Sequence, residues 1–162
     1  MKILYACYGG AHTSVTSAAI HLGLLPDDRV PSSRDFYSIP FYDKMPNKQL
    51  GTPRFMGVDK MGWEIYVMGM GSYKKLVTTA VYSMLKECGL DPAKLFIVNA
   101  LAPLSPITAV GGFCSRKLNL VGLGRPLTIF GIRQTYHAFV DVVKRTKQKQ
   151  MNYMKAMYSA TR

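Results

Sequence analysis

The sequence is poor in acidic residues and in long apolar runs. Only 9 Asp and Glu stand against 21 Lys and Arg, which gives a net charge of +12. This imbalance favours anionic partners: phosphorylated small molecules, nucleic acid or a lipid surface. No apolar run approaches the roughly 18–20 residues that a membrane-spanning helix needs. We therefore expect no transmembrane segment, and no signal peptide either, because Lys2 is followed directly by a strand-like run.

Cysteine is also scarce, and its spacing argues against a metal site. Cys7, Cys88 and Cys114 are an odd number and form no zinc-binding pattern with the three histidines. We expect a reducing compartment, hence a cytoplasmic protein, with no bound metal ion and no cofactor that the sequence identifies. The nucleotide-binding pattern G-x-x-x-x-G-K-[ST] does not occur, and the first turn lacks G-x-G-x-x-G. An ordinary nucleotide P-loop is therefore excluded.

The sequence does contain an alternation of strand-like and helical patterns. Its 162 residues suit one domain, which we expect over residues 1–147, with a basic C-terminal tail over 148–162. Residues 24–53 hold five of the nine prolines and predict an irregular excursion over the surface. The order of elements predicts an α/β fold, namely a three-layer sandwich, Rossmann-like or P-loop-like, with a mainly parallel central sheet and one β-hairpin.

Hydrophobic spacing places the individual elements. The predicted strands are 2–7, 54–58, 63–69, 94–99 and 127–132, and the predicted helices are 15–22, 73–88, 106–118 and 136–147. The second and third strands form the hairpin, and its turn suits a positive φ at Gly62. His21 lies off the apolar stripe of the first helix, so we expect it at the surface. The helix 73–88 has a predicted core stripe of Leu76, Val77, Ala80, Val81, Met84, Leu85 and Cys88.

The first strand and helix are joined by a turn that is suited to an anion. Tyr8–Ser14 contains two glycines, which let the backbone approach a ligand closely, and it leads into a helix whose first N–H groups are unpaired. The same arrangement recurs at Gly69–Lys75, where Ser72 is the predicted N-cap. Because loops after parallel strands share one edge of a sheet, we expect Gly9–Ser14, Gly69–Lys75, 99–105 and 131–135 to lie together there.

The candidate residues follow from this shared edge. The predicted ligand-binding residues are Gly9, Gly10, His12, Thr13, Ser14, Gly71, Ser72, Lys74 and Arg133. No catalytic residue is assigned, but His12 and Cys7 are candidates. His12 is either an acid, base or phosphate donor, or the cap of its own helix. Cys7 is either a nucleophile before a helix N-terminus or, as we favour, a small buried residue at a strand end.

Cys7 invites comparison with two groups of enzymes. The loop is similar to that of phosphocysteine carriers of sugar-transport systems in Ala11-His12-Thr13, but Tyr8 stands where those carriers have proline. Low-molecular-weight tyrosine phosphatases need an arginine six residues after the cysteine, and Thr13 stands there instead. The phosphatase interpretation is therefore disfavoured.

Three stretches resemble one family. They are Tyr8–Ser14 (YGGAHTS), Gly111–Leu118 (GGFCSRKL) and Gly124–Leu127 (GRPL). All three are similar to a family of uncharacterised proteins from Gram-positive, spore-forming bacteria, a domain of unknown function. The resemblance covers most of the chain and implies a bacterial cytoplasmic protein. It implies no activity and no catalytic residues.

Three functions are consistent with these patterns. The first is binding of a phosphorylated small molecule or nucleotide at the strand edge, by a transferase or hydrolase, with charge added by Lys74 and Arg133. The second is a non-catalytic basic module for nucleic acid or an acidic protein. It would use the segment after Lys144, which is either a continuing amphipathic helix, a frayed tail or a binding arm. The third is a thiol phosphocarrier that uses Cys7.

Overall fold

The computed structural model describes residues 1–44, 49–101, 107–108, 111 and 121–160, with the side chains of 121–123 and 160 excepted. Within these residues the elements are β1 (Lys2–Cys7), α1 (Thr13–His21), α2 (Ser33–Ser38), β2 (Arg54–Val58), β3 (Glu64–Gly69), α3 (Lys74–Glu87), a short 3-10 turn (Pro92–Lys94), β4 (Leu95–Asn99), α4 (Val121–Gln134) and α5 (Tyr136–Ala160).

The four strands form one mixed sheet in the order β2-β3-β1-β4. β1 pairs in parallel with both β3 and β4, and β2 pairs antiparallel with β3. β2 and β3 are the predicted hairpin, and Gly62 in its turn has the expected positive φ of 77°. The prediction of an α/β sandwich with a mainly parallel sheet and one hairpin is confirmed.

The two faces of the sheet are covered unequally. Alternation along β1 directs Ile3 and Tyr5 to one face and Leu4 and Ala6 to the other. The first face packs on α1 and α5 and contains most of the buried core, including Trp63. The second face, under α3, contains a small cluster of four fully buried side chains. In the part of the chain that the structure describes, the helices therefore form one thick layer and one thin layer.

The predicted strand 127–132 is wrong, because these residues lie inside α4. Their composition is typical of a strand, but the buried side chains Thr128, Ile129 and Ile132 follow a helical spacing, and Phe130 is exposed. Packing is also close here, since a Cβ added at Gly111 would lie 2.7 Å from the Thr128 backbone nitrogen. The predicted edge loop 131–135 disappears with the strand.

The predicted core stripe of α3 is only half correct. Val77 is partly buried against the small cluster, but Leu76 and Met84 are about two-thirds exposed, and Cys88 is exposed rather than part of the core. The physical reason is the thin layer: α3 packs on the sheet with one narrow side, and no residue of α3 is fully buried.

The chain after Lys144 continues as helix. α5 runs without a break to Ala160, and Gln150 on it is 1% exposed. Of the three alternatives for this segment (a continuing helix, a frayed tail or a binding arm), its described part is the continuing helix. The predicted helix 106–118, with Arg116 and Lys117, falls mostly outside the described residues. In the part of the chain that the structure describes, none of the helices combines the length and apolarity that a membrane span requires.

Candidate functional site at the C-terminal edge of the sheet

The loops after β1 and β3 touch each other at the C-terminal edge of the sheet. The Met70 N–H donates to the Cys7 carbonyl at 2.8 Å, and the Gly71 N–H donates to the Tyr8 carbonyl at 2.9 Å. A Cβ added at Gly10 would lie only 2.6 Å from the Gly69 nitrogen. Glycine is therefore required for this backbone contact, and the first two predicted bends do share one edge.

Cys7 lies beneath the first bend and is 4% exposed. Its Sγ accepts a hydrogen bond from the Gly10 N–H at 3.0 Å and lies 3.1 Å from the Ser14 hydroxyl. One amide of the bend and one predicted ligand-binding hydroxyl are thus already used inside the loop. This arrangement agrees with the small buried residue that we favoured for Cys7.

A buried carboxylate connects the first bend to α4. Asp43 accepts a hydrogen bond from His12 Nε2 at 2.8 Å and from Arg125 Nε at 3.3 Å. Its side chain is 2% exposed, compared with 11% for His12 and 24% for Arg125. The Asp43 N–H also donates to the Ala11 carbonyl at 3.0 Å. Residues from three separate parts of the sequence therefore meet at one carboxylate.

The contact with Asp43 fixes how His12 can act. Because a carboxylate only accepts hydrogen bonds, the Nε2 of His12 carries a proton, and in the neutral ring Nδ1 keeps the lone pair. His12 is also the N-cap residue of α1, although its side chain does not cap the helix. The first helical hydrogen bond runs from the Thr16 N–H to the His12 carbonyl, so the N–H groups of residues 13–15 have no acceptor within the helix.

The remaining predicted residues differ in their exposure and in the element on which they lie. Thr13 is 3% exposed in the first turn of α1. Gly71 has a positive φ of 56°, but the N-cap of α3 is Tyr73, so the prediction of Ser72 as the cap is wrong. Lys74 is the first residue of α3 and is partly exposed.

Arg133 lies on α4, further along the same helix than Arg125. It is an exposed residue in the last turn of α4, rather than in a loop after a strand. Eight residues separate it from Arg125, which corresponds to about 12 Å along the helix axis. The arginine that reaches the first bend is therefore Arg125.

A model of a family of proteins of unknown function matches residues 2–148, most of the chain. The chain belongs to the DUF3189 family. No curated protein and no solved structure matches it. The resemblance to an uncharacterised family is thus confirmed, while the bacterial origin and the cytoplasmic location stay predictions.

In this DUF3189 protein, two of the three stretches that resemble the family are joined by a residue that belongs to neither of them. His12 comes from YGGAHTS and Arg125 from GRPL, and Asp43 joins them. We missed Asp43 because it lies in the proline-rich excursion, where the sequence has no periodicity. In the structure Asp43 has a positive φ of 54°, a conformation for which Asp is enriched among non-glycine residues, but the sequence does not indicate which Asp adopts it.

A second buried polar cluster lies at the other end of α1. The Tyr5 hydroxyl is 2.7 Å from His21 Nδ1, and His21 Nε2 is 3.0 Å from Asp59 Oδ2. Gln150 of α5 donates to the same carboxylate oxygen at 2.6 Å. His21 is 4% exposed, so its predicted place at the surface is wrong. The reason is that the sheet, α5 and the hairpin turn enclose α1, all of whose residues are buried.

The titration of this second cluster follows from its burial. Burial lowers the pKa of His21 below its ordinary value, against the opposing effect of Asp59. For Asp59, burial acts to raise the pKa, but hydrogen bonds from Gln150 and the Trp63 N–H outweigh it and hold the pKa below the usual range. His21 is therefore neutral and accepts a hydrogen bond from Tyr5, and the cluster connects α1, the hairpin turn and α5.

Proposed function

We propose that this DUF3189 protein binds a phosphorylated small molecule at the start of α1, with His12 in contact with the phosphate. The observation that carries the proposal is the hydrogen bond from His12 Nε2 to the buried Asp43, because it orients the imidazole at the N-cap of a helix. Helix N-termini favour anions through their free N–H groups and their dipole.

The electrostatics of the edge support this proposal. The N–H groups of residues 13–15 are not used within the helix, and Nδ1 of His12 would donate to a phosphate oxygen when the ring carries a proton on both nitrogens. Lys74 begins α3 close to the bend, because the Gly71 N–H bonds to the Tyr8 carbonyl. An imidazole held by a carboxylate is also a common acid–base arrangement. Phosphoryl transfer and hydrolysis are therefore the reactions to assay.

The test is thermal unfolding in the presence of inorganic phosphate, nucleotides and sugar phosphates. A ligand at about one hundred times its Kd stabilises a protein by about 2.7 kcal/mol, which corresponds to a rise in Tm of about 5–10 °C at this chain length. His12→Gln should abolish the shift. His137→Gln is the matched control, since it makes the same change at an exposed position of α5. No shift with any ligand, or an equal shift in His12→Gln, contradicts the proposal.

A second candidate function is supported by the charge on α5. Four cations on this helix are exposed, namely Lys144, Arg145, Lys149 and Lys155. This surface suits a non-catalytic module for nucleic acid or an acidic protein. The test is the salt dependence of binding to a DNA or RNA oligonucleotide, which should be steep. Deleting 148–162 is a poor variant, because it removes the buried Gln150; replacing Lys149 and Lys155 by Gln leaves the core intact.

A further inference from the structure

A groove lies between the outer edge of β4 and one side of α5. Its volume is about 590 Å³, and it is lined by residues 96–99 of β4 and by Val142, Arg145, Thr146 and Lys149 of α5. The helix residues are spaced i, i+3, i+4 and i+7 and so form a single stripe. The strand residues are consecutive, whereas one face of a strand presents only alternate residues. The groove therefore follows the backbone edge of β4.

The outer edge of β4 is partly capped by a side chain. The Ala100 N–H donates to the Ala6 carbonyl of β1, so the polar groups of Leu95, Ile97 and Asn99 point away from the sheet. The Tyr82 hydroxyl of α3 donates to the Leu95 carbonyl at 3.1 Å and accepts from the Ile97 N–H at 3.4 Å. If a further parallel strand paired with this edge of β4, its residue opposite Phe96 would make these two bonds in place of the Tyr82 hydroxyl.

The next pair of outward groups is the Ile97 carbonyl and the Asn99 N–H. Neither group has a hydrogen-bond partner on this side among the residues that the structure describes. The strand Leu95–Asn99 also carries no charged residue and no proline, the features by which proteins protect an exposed edge. One residue of a parallel strand, placed opposite Val98, would satisfy both groups.

The charges of the groove specify the side chains of such a strand. Val98 is paired with Tyr5 and faces α5, so a residue opposite Val98 also faces α5, as do residues two positions before and after it. Arg145 and Lys149 are one helical turn apart, about 6 Å along α5, and alternate residues of a strand are about 6.6 Å apart. Acidic residues at alternate positions therefore match the two cations.

We propose that this groove binds an extended acidic peptide of a partner protein, which adds a parallel strand to β4 and places acidic side chains at alternate positions against Arg145 and Lys149. This inference rests on the second candidate function, not on the phosphate site, and it gives that function a location. The main-chain bonds to β4 supply affinity and the two cations supply specificity, as in other cases of strand addition.

The test measures fluorescence anisotropy of a labelled acetyl-Thr-Glu-Val-Glu-Thr-amide peptide with the full chain. Replacing both Arg145 and Lys149 by Gln should weaken binding about tenfold, since each exposed ion pair contributes modestly. Replacing Lys144 and Lys155 by Gln is the matched control, because it removes the same charge outside the groove. The control should bind the peptide as the unmodified chain does.

Two peptides of similar chemistry test the geometry. Thr-Glu-Glu-Val-Thr has the same composition with adjacent acids and should bind several-fold more weakly. N-methylation of both glutamates removes the N–H that would meet the Ile97 carbonyl and should abolish binding. A variant with Glu at positions 145 and 149 should no longer bind the acidic peptide and should instead bind acetyl-Thr-Lys-Val-Lys-Thr-amide. This reversal of charge preference supports the proposal independently of the loss-of-function variants.

Several results would overturn the inference. Equal binding of the N-methylated peptide means that charge alone attracts it, without strand addition. Equal loss in the Lys144 and Lys155 control means that the charge of the whole helix matters, not the groove. If the chain binds a thymidine oligonucleotide but none of the peptides, the proposal of a peptide groove is wrong. The second candidate function then still holds, with nucleic acid as the partner.

Discussion

Gly10 gives the most direct test of how the first bend is built. Gly10→Ala introduces two separate penalties, because the residue has a positive φ of 70° and its new Cβ would lie 2.6 Å from the Gly69 nitrogen. The chain offers variants that carry one penalty each. Gly23 has a φ of 74° with nothing within 4 Å, and Gly69 lacks a positive φ but its Cβ would lie 2.7 Å from the Gly9 carbonyl carbon.

The expected losses of unfolding free energy follow from these contacts. Gly23→Ala should cost about 1 kcal/mol, the usual cost of a left-handed conformation for a residue with a Cβ. Gly69→Ala should cost about 2 kcal/mol from overpacking against backbone that cannot move away easily. Gly10→Ala combines both and should cost about 3 kcal/mol, or about 10 °C in Tm.

Urea denaturation of the three variants and the unmodified chain measures these values directly. The midpoints should shift in the order Gly23→Ala, Gly69→Ala, Gly10→Ala while the slopes stay equal. If Gly10→Ala were no more costly than Gly23→Ala, the loops after β1 and β3 would not be in contact. The candidate site would then lose its geometric basis.

Two further predictions concern buried and exposed titratable groups. Because the pKa of His21 is lowered in the native state, the unfolded chain binds more protons below about pH 6.5, so the free energy of unfolding should fall as pH drops through that value. His21→Gln should flatten this decline in urea midpoints, and a second decline below the usual pKa of Asp59 should remain. Thiol labelling of a Cys114→Ser variant should modify Cys88 at once and Cys7 only after unfolding; rapid native labelling of Cys7 would contradict its 4% exposure.

The sheet was predictable from the sequence because its signals are local. Lys2–Cys7 and Leu95–Asn99 are short apolar runs between turn residues, and the hairpin is marked by alternation around Gly62. Strand 127–132 was mispredicted because Leu127–Ile132 combines β-branched and aromatic residues with a helical spacing. Here close packing against Gly111 and the rest of the core overrides intrinsic propensity, which is a weak constraint by comparison.

The candidate site was predictable only in part. The first bend and its contact with the second follow from glycines placed after parallel strands. Asp43 could not be predicted, because it reaches His12 through an irregular segment whose path depends on tertiary contacts. The same applies to His21, which looks exposed on a helical wheel but is enclosed from the side by Gln150 and Asp59.

Asp43 behaves as a resident counter-ion for Arg125. The contact with Asp43 is made by Nε of Arg125, so a ligand that took the place of the carboxylate there would break the link between α4 and the excursion, which is also held to the first bend by the Asp43 N–H. Binding of such a ligand would then exchange one ion pair for another. Small symmetrical anions would gain little from such an exchange, whereas a larger ligand with further contacts along the edge could offset the loss of the internal pair.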